Sequence, residues 1–176
     1  MAQCQNNKTD REKGQYWELQ FCQMAATWGF SSIPFQLGRE KEAAFFFTPD
    51  FKRHILPDVV VWKNPGQYQY HEIKHKNPTS HGSFSLEAYR LDALLQLAEM
   101  IKQPVLYTIH NHDLAGGCEV RENNIAHWVT IDIRMLHDPY ESVGPSWANG
   151  TMQMVKMFYW PTSYWFSLGV YWKGLK

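Results

Sequence analysis

At 176 residues, with 44% hydrophobic and 19% charged side chains, the chain has the size and composition of one folded domain, which excludes a disordered or fibrous protein. Seventeen basic and seventeen acidic residues cancel, so no global positive field advertises a nucleic-acid binder. Three cysteines without paired spacing, Cys4, Cys22 and Cys118, speak against a disulfide framework or zinc knuckle, and the polar N-terminus and lack of a long apolar run predict a cytoplasmic protein, neither exported nor membrane-embedded.

Thr9 followed by Glu12 reads as a capping box that opens a helix, and Gly29 stops it. Trp17, Phe21, Met24, Ala25 and Trp28 recur at helical spacing as one apolar stripe, with Glu18 at its edge. Ser31 to Pro34 reads as turn, and Ala43 to Thr48 as a short strand. Asp58-Val59-Val60-Val61-Trp62 is a β-branched run, Asn64-Pro65-Gly66-Gln67 a turn, and Tyr68 to Lys76 a second strand, so the segment predicts a hairpin. A turn centred on Pro65 and Gly66 sets Asp58 opposite Glu72 or Ile73, about 5 Å away across the strands. Alternation then places Glu72, Lys74 and Lys76 on one face and His71, Ile73 and His75 on the other. A helix is expected over about Ser85 to Lys102, burying Leu86, Tyr89, Ala93, Leu94, Leu97 and Ile101, with Pro104 beyond its end. Val105 to Ile109 is an apolar strand, and another is expected at His127 to Ile133. Thr151 to Trp160 partly alternates as a strand would, whereas Tyr164 to Trp172 is aromatic and of undecided type.

The chemistry concentrates in the hairpin. From Phe51 to Gly82 there are five basic residues, Lys52, Arg53, Lys63, Lys74 and Lys76, against only Asp58 and Glu72, an excess that draws a phosphate backbone. Hydrolysis of a phosphodiester needs a nucleophilic water, a cation to neutralise the phosphate, and help for the departing oxygen. Asp58 and Glu72 form the kind of oxygen pair that suits Mg2+, and Lys74 on the same face supplies a fixed positive charge for the water or the transition state. Lys76 and Arg90 are the basic side chains nominated for phosphate contact. The histidine pairs, His71 with His75 and His110 with His112, offer a zinc alternative, but no third ligand stands at suitable spacing.

Pro57-Asp58 with Glu72-Ile73-Lys74, in this order of elements, resembles the PD-(D/E)XK nuclease superfamily, which includes restriction enzymes, Holliday junction resolvases and phage exonucleases. The resemblance runs from Glu12 to about Asn111. It implies an α/β, restriction-endonuclease-like αβββαβ core with a mixed central sheet flanked by helices. Chain length sets the expectation of a single domain, with a core over about 9–134 and an aromatic extension over about 135–176 that the resemblance does not cover. It implies Mg2+, or Mn2+, on Asp58 and Glu72, catalysis by Lys74, and a place beside the metal for Glu18. The expected function is a metal-dependent DNA endonuclease of restriction, homing or junction-resolving type. Cutting both strands of a duplex calls for two centres, hence a homodimer or larger symmetric oligomer, and the C-terminal tryptophans Trp160, Trp165 and Trp172 read as protein core or as that dimer surface rather than as base-stacking residues. An Asp and a Glu-x-Lys are individually common, and a charged face on a half-exposed strand needs no active site. The competing expectation is therefore a catalytically silent nucleic-acid-binding or assembly module on the same fold.

Overall fold

The computed structural model describes residues 10–35, 45–48, 53–111, 114, 124–148 and 151–175. Thr9, Cys4, Cys118 and His112, on which expectations were placed, lie outside them. Helix α1 covers Asp10–Thr27. Its apolar stripe is buried at Phe21, Met24 and Ala25, and Glu18 is buried with it. Gly29 ends the helix with φ of 80°, a left-handed conformation that lets Phe30 N–H donate to the Ala25 carbonyl.

Strand β1, Ser31–Pro34, follows, where the serines and proline suggest a turn. It is an edge strand of the main sheet, with alternating exposed and half-buried residues, and an edge tolerates proline because one side of the strand needs no donor. The expected strand at 43–48 is present as β2, Phe45–Phe47, and among the described residues it pairs with β3, Arg53–Ile55, in a separate two-stranded sheet. Strands β4, Val59–Trp62, and β5, Tyr68–Lys76, form the hairpin. Gln67 N–H donates to the Asn64 carbonyl at 3.1 Å across Pro65-Gly66, and Gly66 takes a φ of 83°. Proline followed by a positive-φ glycine is what this kind of β-turn demands.

The sequence expectation errs at Ser85. Ser83–Glu87 is strand β6, and helix α2 begins only at Ala88, covering Ala88–Ile101. Phe84 and Leu86 are buried while Ser83, Ser85 and Glu87 are half-buried, a short period-two pattern that merges with the helical period after it. Leu86 is thus buried from a strand, and Tyr89 is 53% exposed rather than part of the buried stripe. Beyond α2, Lys102 adopts a left-handed conformation, and β7, Val105–Asn111, is buried along its whole length. Strand β8, Trp128–Asp132, matches expectation. Strands β9, Tyr140–Ala148, and β10, Thr151–Pro161, make a long hairpin of which the alternation announces only the second half. Phe166–Ser167 is strand β11, and Leu168–Lys173 is helix α3.

The main sheet runs β1-β4-β5-β7-β8-β11 and is mixed, with β5 and β7 the parallel pair. A second sheet, β6-β10-β9, is tied to α2 through β6. Two apolar clusters flank the main sheet. One joins Leu91, Leu94 and Leu97 of α2 to Val105, Tyr107, Ile109, Trp160 and Trp165. The other joins Phe21, Met24 and Ala25 of α1 to Val59, Val61, Ile73, Trp128, Leu168 and Trp172. The C-terminal tryptophans are therefore core residues, which decides between the two roles considered for them. Among the described residues no helix is long and apolar enough to cross a membrane.

Candidate active site

The hairpin register pairs Val59 with His71 and Trp62 with Tyr68, and its continuation sets Asp58 across from Glu72. At this strand entrance the Asp58 carbonyl accepts the Phe35 N–H at 2.8 Å, and its carboxylate Oδ2 accepts the Ile73 N–H at 2.7 Å. Alternation along β5 holds as expected. His71, Ile73 and His75 face α1, where His71 and His75 lie against Phe21 and Trp17, while Glu72 faces α2 and Arg90.

Three residues nominated from sequence meet at this end of the sheet. Lys74 Nζ lies 2.7 Å from Glu72 Oε1 and 3.8 Å from Asp58 Oδ2. Lys74 keeps 33% of its side chain exposed while Glu72 keeps 1%, so the lysine lies at the rim of the buried carboxylates. Glu18 reaches the same electrostatic field from α1. Burial, then the charges of Asp58 and Glu72, push the Glu18 carboxyl up to about 8 against the pull of Lys74. Asp58 is raised to about 6 by burial and Glu72, with Lys74 and Arg90 opposing. Burial alone would raise Glu72 as well, but Arg90 and Lys74 outweigh it and bring it down to about 2. Burial disfavours the Lys74 ammonium, yet Glu72 and Asp58 hold it above the usual lysine range. Buried acids of which some resist ionisation, beside a cation that stays charged, set this cluster apart from a solvated strand face.

Arg90 and Lys76, nominated for phosphate, both turn inward. Arg90 is 9% exposed, and its Nε donates to Glu72 Oε1 at 3.0 Å while Nη2 donates to Glu72 Oε2 and to the Leu56 carbonyl. A fork–fork pair of this kind fixes a carboxylate plane. Nothing in the sequence marks Arg90 for this role, because the helix that carries it starts three residues later than its pattern suggests. Lys76 Nζ donates to the Ser85 carbonyl at 2.6 Å, an acceptor it shares with the Tyr107 hydroxyl. Burial lowers its ammonium to about 8, partly offset by Glu87. The histidines are engaged elsewhere. His71 Nδ1 pairs with Thr108 Oγ1 at 2.8 Å, and burial lowers the ring to about 3, so it is neutral. His75 and His110 share an Nδ1–Nδ1 contact of 3.1 Å under the Trp17 ring.

Among the described residues no three His, Cys, Asp or Glu side chains are gathered into a ready coordination sphere. The donors nevertheless fit a hard divalent cation, because all are carboxylate oxygens and one, Glu18 Oε2, is buried with no hydrogen-bond partner.

The architecture defines a class: a mixed sheet flanked by helices, with its acidic cluster where the Asp58 and Glu72 strands meet, is the restriction-endonuclease-like fold. Among solved structures, Hjc, a Holliday junction resolvase of the archaeal hyperthermophile Archaeoglobus fulgidus, matches with a TM-score of 0.54 at 15% identity, over 90% of this chain and 99% of that one. That likeness is one of fold, and it agrees with the mixed sheet flanked by helices that the hairpin motif led us to expect. No protein-family model and no curated protein matches the chain.

Proposed function

We propose that the chain is a divalent-metal-dependent deoxyribonuclease that hydrolyses phosphodiester bonds at Asp58, Glu72 and Lys74, with Glu18 completing the acidic cluster. The observation that carries this reading is the Lys74 ammonium, 2.7 Å from one buried carboxylate and 3.8 Å from another at the mouth of a strand pair. Glu18, Asp58 and Glu72 would hold Mg2+ or Mn2+, which when bound neutralises charge on the scissile phosphate and lowers the pKa of a coordinated water. Lys74, its charge secured by both acids, orients the attacking water and steadies the negative charge that builds on the phosphate. Arg90 keeps Glu72 in one orientation, so the cluster loses little entropy on loading.

The resolvase likeness favours branched DNA among the candidate substrates. Paired cuts on such a substrate need two centres, and a homodimer measured by light scattering is the expected form. The silent-module reading has one observation in its favour: Glu72 is already satisfied by Arg90 and Lys74.

The deciding experiment presents purified protein with supercoiled plasmid, linear duplex and a four-way junction, in Mg2+, in Ca2+ and in EDTA, beside Asp58→Ala. Mg2+-dependent cutting that disappears in the variant is expected, and the product pattern identifies the substrate class. Binding of DNA without cutting under any condition would replace the nuclease by the silent module.

A further inference from the structure

We propose that Arg90 limits this centre to a single divalent cation by holding Glu72 as a partly neutralised carboxylate that cannot bridge two ions. The inference rests on the metal-dependent reading above and deepens it. A carboxylate has about four acceptor sites, two on each oxygen. On Glu72, Oε1 accepts both Lys74 Nζ at 2.7 Å and Arg90 Nε at 3.0 Å, and Oε2 accepts Arg90 Nη2. Only one acceptor site, on Oε2, is left. Two-ion centres hold their cations roughly 3.5–4 Å apart, a spacing that a shared carboxylate spans by giving one oxygen to each. Glu72 has no second oxygen to give.

Charge leads to the same count. With Glu18 deprotonated, as a ligand must be, Glu18, Asp58 and Glu72 bring three negative charges, and Lys74 and Arg90 return two positive ones within the same field. One divalent cation turns that small negative balance into a small positive one. A second would leave a buried cluster strongly positive, which a low-dielectric site resists. Arg90 cannot swing away cheaply, because its Nη2 also donates to the Leu56 carbonyl at 3.2 Å and so ties the turn that carries Asp58 to the strand that carries Glu72.

The test is Mn2+ binding to the full chain, by calorimetry and by electron paramagnetic resonance of free Mn2+, for wild type, Arg90→Gln and Arg90→Lys. Wild type is expected to take one ion per chain. Arg90→Lys, which keeps the charge, should stay at one, while Arg90→Gln should take a second ion or bind the first about tenfold more tightly or better, one positive charge having left the cluster. Two ions on wild type overturn the proposal, and this arm stands even where a variant fails to fold. One ion on Arg90→Gln at less than that gain in affinity also overturns it. No ion on any of the three proteins defeats the metal reading itself, a failure distinct from intact binding that ignores Arg90.

Discussion

Lys74 and Glu18 answer to the same two acids in opposite ways, and each yields a measurement. Lys74→Ala removes a fixed charge from the mouth of the site without touching Asp58 or Glu72, so it should lower cleavage by about 10²–10³-fold, the usual cost of a lost electrostatic partner in the transition state. Mn2+ should bind no less tightly, since a positive charge has left the cluster, and unimpaired cleavage would remove Lys74 from the mechanism. For Glu18 the prediction concerns stability without metal. Its folded pKa, about 8, stands above the ordinary 4.5, so the folded state holds a proton that the unfolded chain has released. The stability this contributes is complete below pH 4.5 and is lost as pH rises through 8. Asp58, raised to about 6, acts in the same direction over a lower range. His71, lowered from 6.5 to about 3, acts oppositely, but only below pH 6.5. Lys76, lowered from 10.5 to about 8, also acts oppositely, but only as pH nears 8. Between pH 6.5 and 8 Glu18 therefore outweighs it, and unfolding in EDTA should cost on the order of 1 kcal/mol less at the upper end. Glu18→Gln should flatten that slope in urea titrations, and a slope that persists in the variant assigns the effect to another group.

The hairpin shows why the centre was legible before the fold was. Val59 to Trp62 is β-branched, Asn64 to Gln67 is a turn signal, and period-two alternation puts Glu72 and Lys74 on one face, so three local rules agree on one geometry. Where rules conflict, the sequence misleads. Ser83–Glu87 pairs with Met157–Pro161, some seventy residues away, and no local signal announces a partner so distant. Ser31–Pro34 likewise becomes a strand because Val59–Trp62 offers it a ladder. Arg90 was visible as a basic residue but not as the partner of Glu72, since that pairing depends on where α2 begins. The C-terminal elements are the clearest case of tertiary context assigning a role. Trp172 is 3% exposed, lies 4.6 Å from the Phe30 ring, and donates its indole N–H to Gln69 Oε1 at 3.2 Å. Trp172→Ala should destabilise by about 3–5 kcal/mol through the cavity it leaves. A change below 1 kcal/mol in chemical denaturation would mean that α3 packs only loosely. Gly29→Ala should cost about 1 kcal/mol, because the space around Gly29 is open and only its positive φ resists a side chain.

For the molecule as a whole, the proposed metal reading makes the acidic cluster a place where folding and binding would share one free energy. The two apolar clusters grip opposite faces of a single sheet, and that sheet carries Glu72 and Lys74 between them. Carboxylates buried at such a position weaken the fold when no cation is present, as the raised Glu18 and Asp58 pKa values record. A cation that binds only the folded state offsets the penalty by mass action, adding about 2.7 kcal/mol at a hundred times its dissociation constant. For a chain of this length each kcal/mol moves the melting temperature by about 2–4 °C, so saturating Mn2+ should raise it by about 5–10 °C. The rise should be larger at pH 8 than at pH 6, because near pH 8 about half of the Glu18 carboxyls have already surrendered the proton that a metal ligand must lose. Asp58→Asn should abolish most of the rise while leaving a single unfolding transition, since the clusters that hold the sheet are unchanged. If Asp58→Asn responds to Mn2+ as wild type does, the ion stabilises the protein from some other surface, and the coordination assigned to Asp58 is wrong even if DNA is still cut.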